Sequence, residues 1–173
     1  MFVRVISIGL IIGTTSLLGY YLSRLDEYRI NDLKIVKKSL TMLCSEIRYA
    51  STSLPNALES ISSRIEGVIS NMYTDISLEL KKRKGMRLSE VWNKSLDKYK
   101  SKTYLSKEDI DNLMTFGKTL GYLDKDMQQK NIELIIDYLD NQIDQLNDKK
   151  NKNSKMYRSL GFLSGLLIVV ILL

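Results

Sequence analysis

Apolar residues are continuous at the two ends of this chain and periodic between them. Val5 to Leu22 reads VISIGLIIGTTSLLGYYL, 18 residues without a charge, and Leu160 to Leu173 reads LGFLSGLLIVVILL, 14 residues without one. As a helix the first run covers about 27 Å at about 1.5 Å per residue, close to the roughly 30 Å hydrocarbon core of a bilayer. A removed signal peptide is the rival reading. However, the exit Tyr20-Tyr21-Leu22-Ser23-Arg24 lacks the small residues a cleavage site needs, which favours an uncleaved anchor over residues 1–24. The second run alone covers only about 21 Å. Counted back to Met156 it reaches about 27 Å, with Arg158 snorkelling and Tyr157 at headgroup level, so residues 156–173 are expected to form a second transmembrane segment.

Residues 25–155, between the anchors, change register to that of packed helices. Leu33, Val36, Leu40, Leu43 and Ile47 recur at gaps of 3, 4, 3 and 4, one apolar seam on one helix face. Nothing breaks the helix between the first run and that seam, so a single helix is expected to continue to about Tyr49. Ser51-Thr52-Ser53 interrupts it, and Leu54-Pro55 opens the next, because proline fits a first helical turn. Ala57, Leu58 and Ile61 carry that second helix. Gly67 marks a break before a third, about Ser70 to Lys82, and Gly85 closes the basic turn Lys81-Lys82-Arg83-Lys84. Val91, Trp92, Leu96 and Tyr99 give a fourth helix, with Trp92 as a core anchor. Ser106 caps a fifth, with Glu108 and Asp109 in its first turn and Ile110, Leu113, Met114 and Phe116 following. Gly117 and Gly121 read as a helix stop, and Asp124 as the cap of a last helix through Ile132, Ile135, Ile136, Leu139, Ile143 and Leu146. The fold class is therefore all-α, a six-helix antiparallel bundle with N- and C-terminal transmembrane helices.

Charge adds a topology. All 20 acids lie within residues 26–148, where they meet 19 Lys/Arg, so the net +6 comes from Arg4, Arg24, Lys149, Lys150, Lys152, Lys155 and Arg158 beside the apolar ends. By the positive-inside rule the middle domain faces the cytoplasm. Excess charge confined to a membrane collar gives no reason to expect nucleic acid as a partner. The turn Lys81 to Lys84 is either solvated or a contact for anionic lipid or protein.

Chemistry is scarce. There is no histidine, which removes most general-base and metal chemistry, and Cys44 is the one cysteine, so no internal disulfide forms. No phosphate-binding glycine loop occurs. Asp137, Asp140, Asp144 and Asp148 line one helix face, but with no second acidic element they read as a solvated stripe and not a metal site. No catalytic, cofactor, metal or small-molecule site is expected, and an enzyme is not indicated. A metal-dependent hydrolase on the acidic face and a membrane-tethered coiled-coil regulator are the competing readings.

Longer motifs carry a resemblance. Glu46-x-x-Tyr49, Leu54-Pro55-x-Ala57-Leu58 and Val91-Trp92-x-x-Ser95-Leu96 come first. Phe116-Gly117-x-x-Leu120-Gly121-x-x-Asp124-x-x-x-Gln128 and Tyr157-x-Ser159-Leu160-Gly161-Phe162-Leu163-x-Gly165-Leu166-Leu167 follow. In order and spacing, over essentially the full length, this resembles the stage III sporulation protein AB family of spore-forming bacteria. Leu54-Pro55-x-Ala57-Leu58 and Gly117-x-x-x-Gly121-x-x-Asp124 are more distantly similar to the six-helix cytoplasmic domains of the type II secretion F and type IV pilus platform proteins. The resemblance implies a platform in the outer forespore membrane, facing the mother-cell cytoplasm. It would belong to the stage III AA–AH channel or secretion complex that links mother cell and forespore and serves late forespore development. Implied partners are the AA ATPase and the AC, AD and AE membrane proteins. Candidate contact residues are Lys81, Lys82, Arg83, Lys84, Phe116, Gly117, Gly121, Asp124 and Gln128.

Overall fold

The computed structural model describes residues 2–49, 53–82, 85–120 and 125–172. Among these residues six α-helices follow one another: α1 (Phe2–Tyr49), α2 (Leu54–Ser62), α3 (Gly67–Lys81), α4 (Leu88–Tyr99), α5 (Lys107–Thr119) and α6 (Lys125–Leu172). A single 3-10 turn, Lys100–Lys102, joins α4 to the α5 approach, and no strand occurs among the described residues. The chain divides into two compact units, Asn31–Ile143 and the paired ends Met1–Ile30 with Asp144–Leu173. Both units draw on α1 and α6.

Local signals set the helix boundaries. Pro55 sits in the first turn of α2, where its missing N–H costs nothing. Gly67 and Gly85 take the positive φ values 79° and 67°, which a side chain would strain. Gly67 itself begins α3, so that helix starts three residues earlier than Ser70. At α5 a reciprocal cap forms: Asp109 N–H donates to Ser106 Oγ at 3.2 Å, and Ser106 N–H donates to Asp109 Oδ2 at 2.7 Å.

Side-chain contacts in the Asn31–Ile143 unit show neighbours running antiparallel. Ser70 Oγ, early in α3, donates to the carbonyl of Ser62 at the end of α2 (2.7 Å), and Ser77 Oγ, late in α3, donates to Pro55 at the start of α2 (2.8 Å). Likewise Lys37 of α1 reaches Asp140 of α6 at 2.5 Å, while Arg48, further along α1, reaches Gln129, earlier in α6, at 3.2 Å. The seams foreseen in α1 and α6 are inside: Leu33, Val36, Leu40 and Leu43 are buried, as are Ile132, Ile135, Leu139 and Ile143.

Trp92 is the centre of this core. It is 1% exposed, and its indole N–H donates to the Leu113 carbonyl at 2.9 Å. Tyr73 and Phe116 meet it edge to face with ring centroids 5.8 and 5.5 Å away. The buried Tyr73 hydroxyl lies 2.8 Å from Ser39 Oγ, which also lies 2.6 Å from the Val36 carbonyl. Burial pushes the Tyr73 phenol far above its usual range, so it stays a neutral hydrogen-bonding group.

In the other unit, Ile30 and Leu146 are buried. Lys149 meets Asp26 at 3.4 Å and Lys150 meets Glu27 at 3.5 Å, so two lysines of the basic collar are paired with α1 carboxylates. Arg24 also reaches Glu27 at 3.6 Å, with its guanidinium over the Tyr20 ring. Among the described residues no helix is long and apolar enough to cross a membrane. Most side chains of the two uncharged end runs lie outside the described residues, although their backbone is helical.

Candidate functional site

The described candidates, Lys81, Lys82, Phe116, Gly117 and Gln128, belong to helix ends that share one end of the bundle unit, here called the tip. Trp92, one turn into α4, touches Phe116 and Leu113 near the end of α5, so the α3–α4 turn and the α5 terminus share that end. Tyr49, where α1 stops, is 80% exposed, and Met86 and Met127 are exposed large apolar side chains beside these turns.

Individual residues at the tip take different roles. Lys81 and Lys82 are exposed and point to acids of the bundle, Lys81 to Glu59 at 2.6 Å and Lys82 to Glu79 at 2.5 Å. Such surface pairs exchange readily with a partner's carboxylates, because each holds at most about 1 kcal/mol. Arg83, Lys84, Gly121 and Asp124 lie outside the described residues. Gln128 is half-buried in the first turn of α6.

Phe116 and Gly117 are buried inside α5. Gly117 is not the helix stop that the sequence pattern suggested; α5 runs on to Thr119, and Leu120 caps it in extended conformation. Its lack of a side chain has a tertiary cause. A Cβ there would lie 2.8 Å from both Cγ and Nε1 of Trp92, and closer still to Cδ1. Glycine is what lets the indole approach the helix backbone this closely.

An open groove of about 510 Å³ runs from the tip between α3 and α4, past Leu78, Glu79, Lys82, Met86, Val91 and Lys94. Along it Lys98 donates to Asp75 at 2.5 Å, and the Tyr99 hydroxyl donates to the same carboxylate at 2.8 Å. The Lys98 bond holds the Asp75 carboxyl below the usual carboxylate range. A second groove of about 570 Å³, toward the other end of the unit, includes Asp32, Lys38, Arg64 and Tyr104. There Asp32 accepts the Tyr104 N–H at 2.7 Å, and burial raises its carboxyl above the usual range.

Sequence reasoning passed over Asp109 as more than a cap residue. It is fully buried, and besides the Ser106 cap it accepts the Tyr138 hydroxyl of α6 at 3.0 Å. Desolvation and that carboxylate push the Tyr138 phenol well up. The i, i+3 pairing of Ser106 with Asp109 was the available signal; its link to Tyr138 is nonlocal. Cys44 is half-buried, and burial raises its thiol, the opposite of what a reactive cysteine needs. Of the α6 acids, Asp140 is paired with Lys37, and among the described residues no group of three or more Cys, Asp or Glu converges on a metal position.

Fold and surface together define the class: an all-α bundle whose described polar side chains tie helices to one another and leave open faces at the tip and along α3–α4. Comparison with known proteins then gives the family. The chain belongs to the stage III sporulation protein AB family, which it matches over residues 4–173. It is similar to stage III sporulation protein AB of Bacillus subtilis (strain 168), with 30% identity over 163 residues, 94% of this chain and 95% of that one. A solved structure of stage III sporulation protein AB matches with a TM-score of 0.68 at 26% identity, covering 72% of this chain and 98% of that chain. Membership makes this a sporulation protein; the relatives' names denote a stage of spore formation and no reaction.

Proposed function

We propose that the chain is a membrane-anchored structural platform of the stage III A complex, the channel or secretion assembly that joins mother cell and forespore. In this reading residues 1–24 and 156–173 cross the outer forespore membrane, and the helical bundle faces the mother-cell cytoplasm. The tip takes the AA ATPase, while AC, AD and AE are lateral neighbours in the membrane.

The observation that carries this reading is the joining of two features in single helices. Val5–Leu22, uncharged over 18 residues, and Leu33–Leu43, a buried bundle seam, are both part of α1. α6 repeats the plan in reverse order. A platform requires that continuity, because anchor and bundle are then parts of the same helices. Buried seams also favour a platform over a coiled-coil regulator, since the a/d positions of α1 and α6 are used within one chain.

Alkaline carbonate extraction of sporulating cells tests the anchoring. Retention of the chain in the membrane pellet is expected, and loss of retention when residues 1–24 and 156–173 are both removed. Release of the full chain into the supernatant would overturn the platform.

A further inference from the structure

The end unit, Met1–Ile30 with Asp144–Leu173, carries the chain's surplus of positive charge. It has eight Lys/Arg against four acids, Asp26, Glu27, Asp144 and Asp148, which follow Arg24 in α1 or precede Lys149 in α6. Glu27 meets Arg24 and Lys150, and Asp26 meets Lys149. Residues 1–25 and 149–173 contain no Asp or Glu, so past those pairs neither helix has a carboxylate to offer Lys152, Lys155 and Arg158.

The spacing of this basic run sharpens the imbalance. Lys149, Lys152, Lys155 and Arg158 recur at every third position of α6, and residues three or four apart are neighbours on a helix surface. Like charges so placed repel one another, and the sequence puts no acid among them. Such a ladder needs a counter-charge from outside the chain.

The level of the ladder identifies that counter-charge. α1 and α6 are antiparallel, since Lys37–Asp140 and Lys150–Glu27 follow opposite orders along them. Counted on from Glu27 and Lys150 in that register, position 157, a tyrosine, stands level with Tyr20, which is exposed beside the exposed Tyr21. Tyrosine collects at the headgroup level of a bilayer. Lys155 and Lys152 precede Tyr157 by about 3 and about 8 Å of helix, the depth of a headgroup layer roughly 5–8 Å thick.

We propose that Lys152, Lys155 and Arg158 form a binding site for the phosphate of an anionic phospholipid in the leaflet on the bundle side. A zwitterionic headgroup brings its own ammonium, so a headgroup of net negative charge is selected. This inference rests on the membrane reading above and adds its lipid partner.

Native mass spectrometry of the full chain, in detergent carrying equal phosphatidylglycerol and phosphatidylcholine, tests it. Retention of phosphatidylglycerol is expected to exceed that of phosphatidylcholine at least about fivefold, the preference that one Lys or Arg near an anionic surface contributes. Replacing Lys152, Lys155 and Arg158 together by Gln is expected to abolish the preference with helical circular dichroism unchanged. Replacing the exposed Lys94, Lys118 and Lys130 of the bundle unit by Gln removes the same charge and is expected to leave it intact. Excess inorganic phosphate is expected to displace little of the lipid; full displacement would assign the site to a free anion and overturn the proposal. Equal retention of both lipids, a wild-type preference in the Lys152, Lys155 and Arg158 variant, or loss of preference in the bundle variant would each overturn it as well. Any of these with the chain still in the carbonate pellet leaves the membrane reading standing, whereas release of the wild-type chain overturns both.

Discussion

Gly117→Ala tests whether the core is built as described, because two physical arguments give it opposite signs. Helix propensity alone favours alanine over a helical glycine by about 1 kcal/mol. The surroundings of Gly117 oppose it. Nonbonded carbon atoms settle about 3.5–4.0 Å apart, yet the new Cβ would lie 2.8 Å from Trp92 Cγ and Nε1. The indole has nowhere to go without loss, since it is held by Leu113 on one side and by Tyr73 and Phe116 on others. Overpacking of this kind costs about 1–3 kcal/mol. A ring that swings away from the Leu113 carbonyl forfeits a buried hydrogen bond for about 1–3 kcal/mol more. The expected net effect is about 3 kcal/mol of destabilisation, a fall in Tm on the order of 10 °C for a chain of this size. Trp92 is the chain's one tryptophan, so its fluorescence reports the site while far-ultraviolet circular dichroism reports the helices. In a Trp92→Leu background the same Gly117→Ala change is expected to become neutral or stabilising. A Gly117→Ala protein as stable as wild type, with native fluorescence, would refute the packing argument. It would return Gly117 to the contact surface.

Further predictions address the ion pairs and caps. Asp75 lies below its unfolded pKa, so its pairing stabilises above about pH 4 and is lost as pH falls through the lower folded value. Asp75→Asn is expected to cost about 0.5–1 kcal/mol at pH 7 in urea denaturation and nothing in strong acid; a pH-independent cost contradicts this. Asp32 has the reverse sign, because burial raises its folded value above the unfolded one. Asp32→Asn should therefore be more stable than wild type at pH 7, with the gain shrinking as pH falls, and a loss at pH 7 would refute it. Asp109→Ala removes the carboxylate half of the reciprocal cap, leaving both the Ser106 N–H and the Tyr138 hydroxyl without that acceptor. A cost of about 2–3 kcal/mol is expected by the same measurement, and less than about 0.5 kcal/mol would contradict it. Replacing Lys81, Lys82 and Arg83 by Ser should change stability by less than about 1 kcal/mol while weakening cross-linking of the tip to the ATPase in a salt-dependent way. Unchanged cross-linking would leave that turn a solvated one.

Much of the fold was legible because its signals are local. The 3–4 spacing of Leu33 to Leu43 gives one buried face, Pro55 can only open a helix, and Ser106 with Asp109 encodes its own cap. What sequence misread was set by distant residues. Gly117 resembles a helix stop until Trp92, 25 positions earlier in the chain, is seen lying on it. Lys149 and Lys150 count as excess charge until α1 supplies Asp26 and Glu27 opposite them. The tip was half legible: the basic turn and the α5 terminus were picked out separately. Only antiparallel packing brings the described parts of both to one end, and of their two readings, core or contact, Phe116 and Gly117 take the core one.

The platform reading turns on which side of the membrane the bundle occupies. Single cysteines at Phe2, Lys82 and Leu173, in a Cys44→Ser background, are labelled in sporulating cells with a reagent that does not cross membranes. Labelled termini with a protected Lys82→Cys are expected, and cross-linking from position 82 to the ATPase should follow. A labelled position 82 with protected termini would put the bundle between the two membranes, away from any mother-cell ATPase, and would contradict the account.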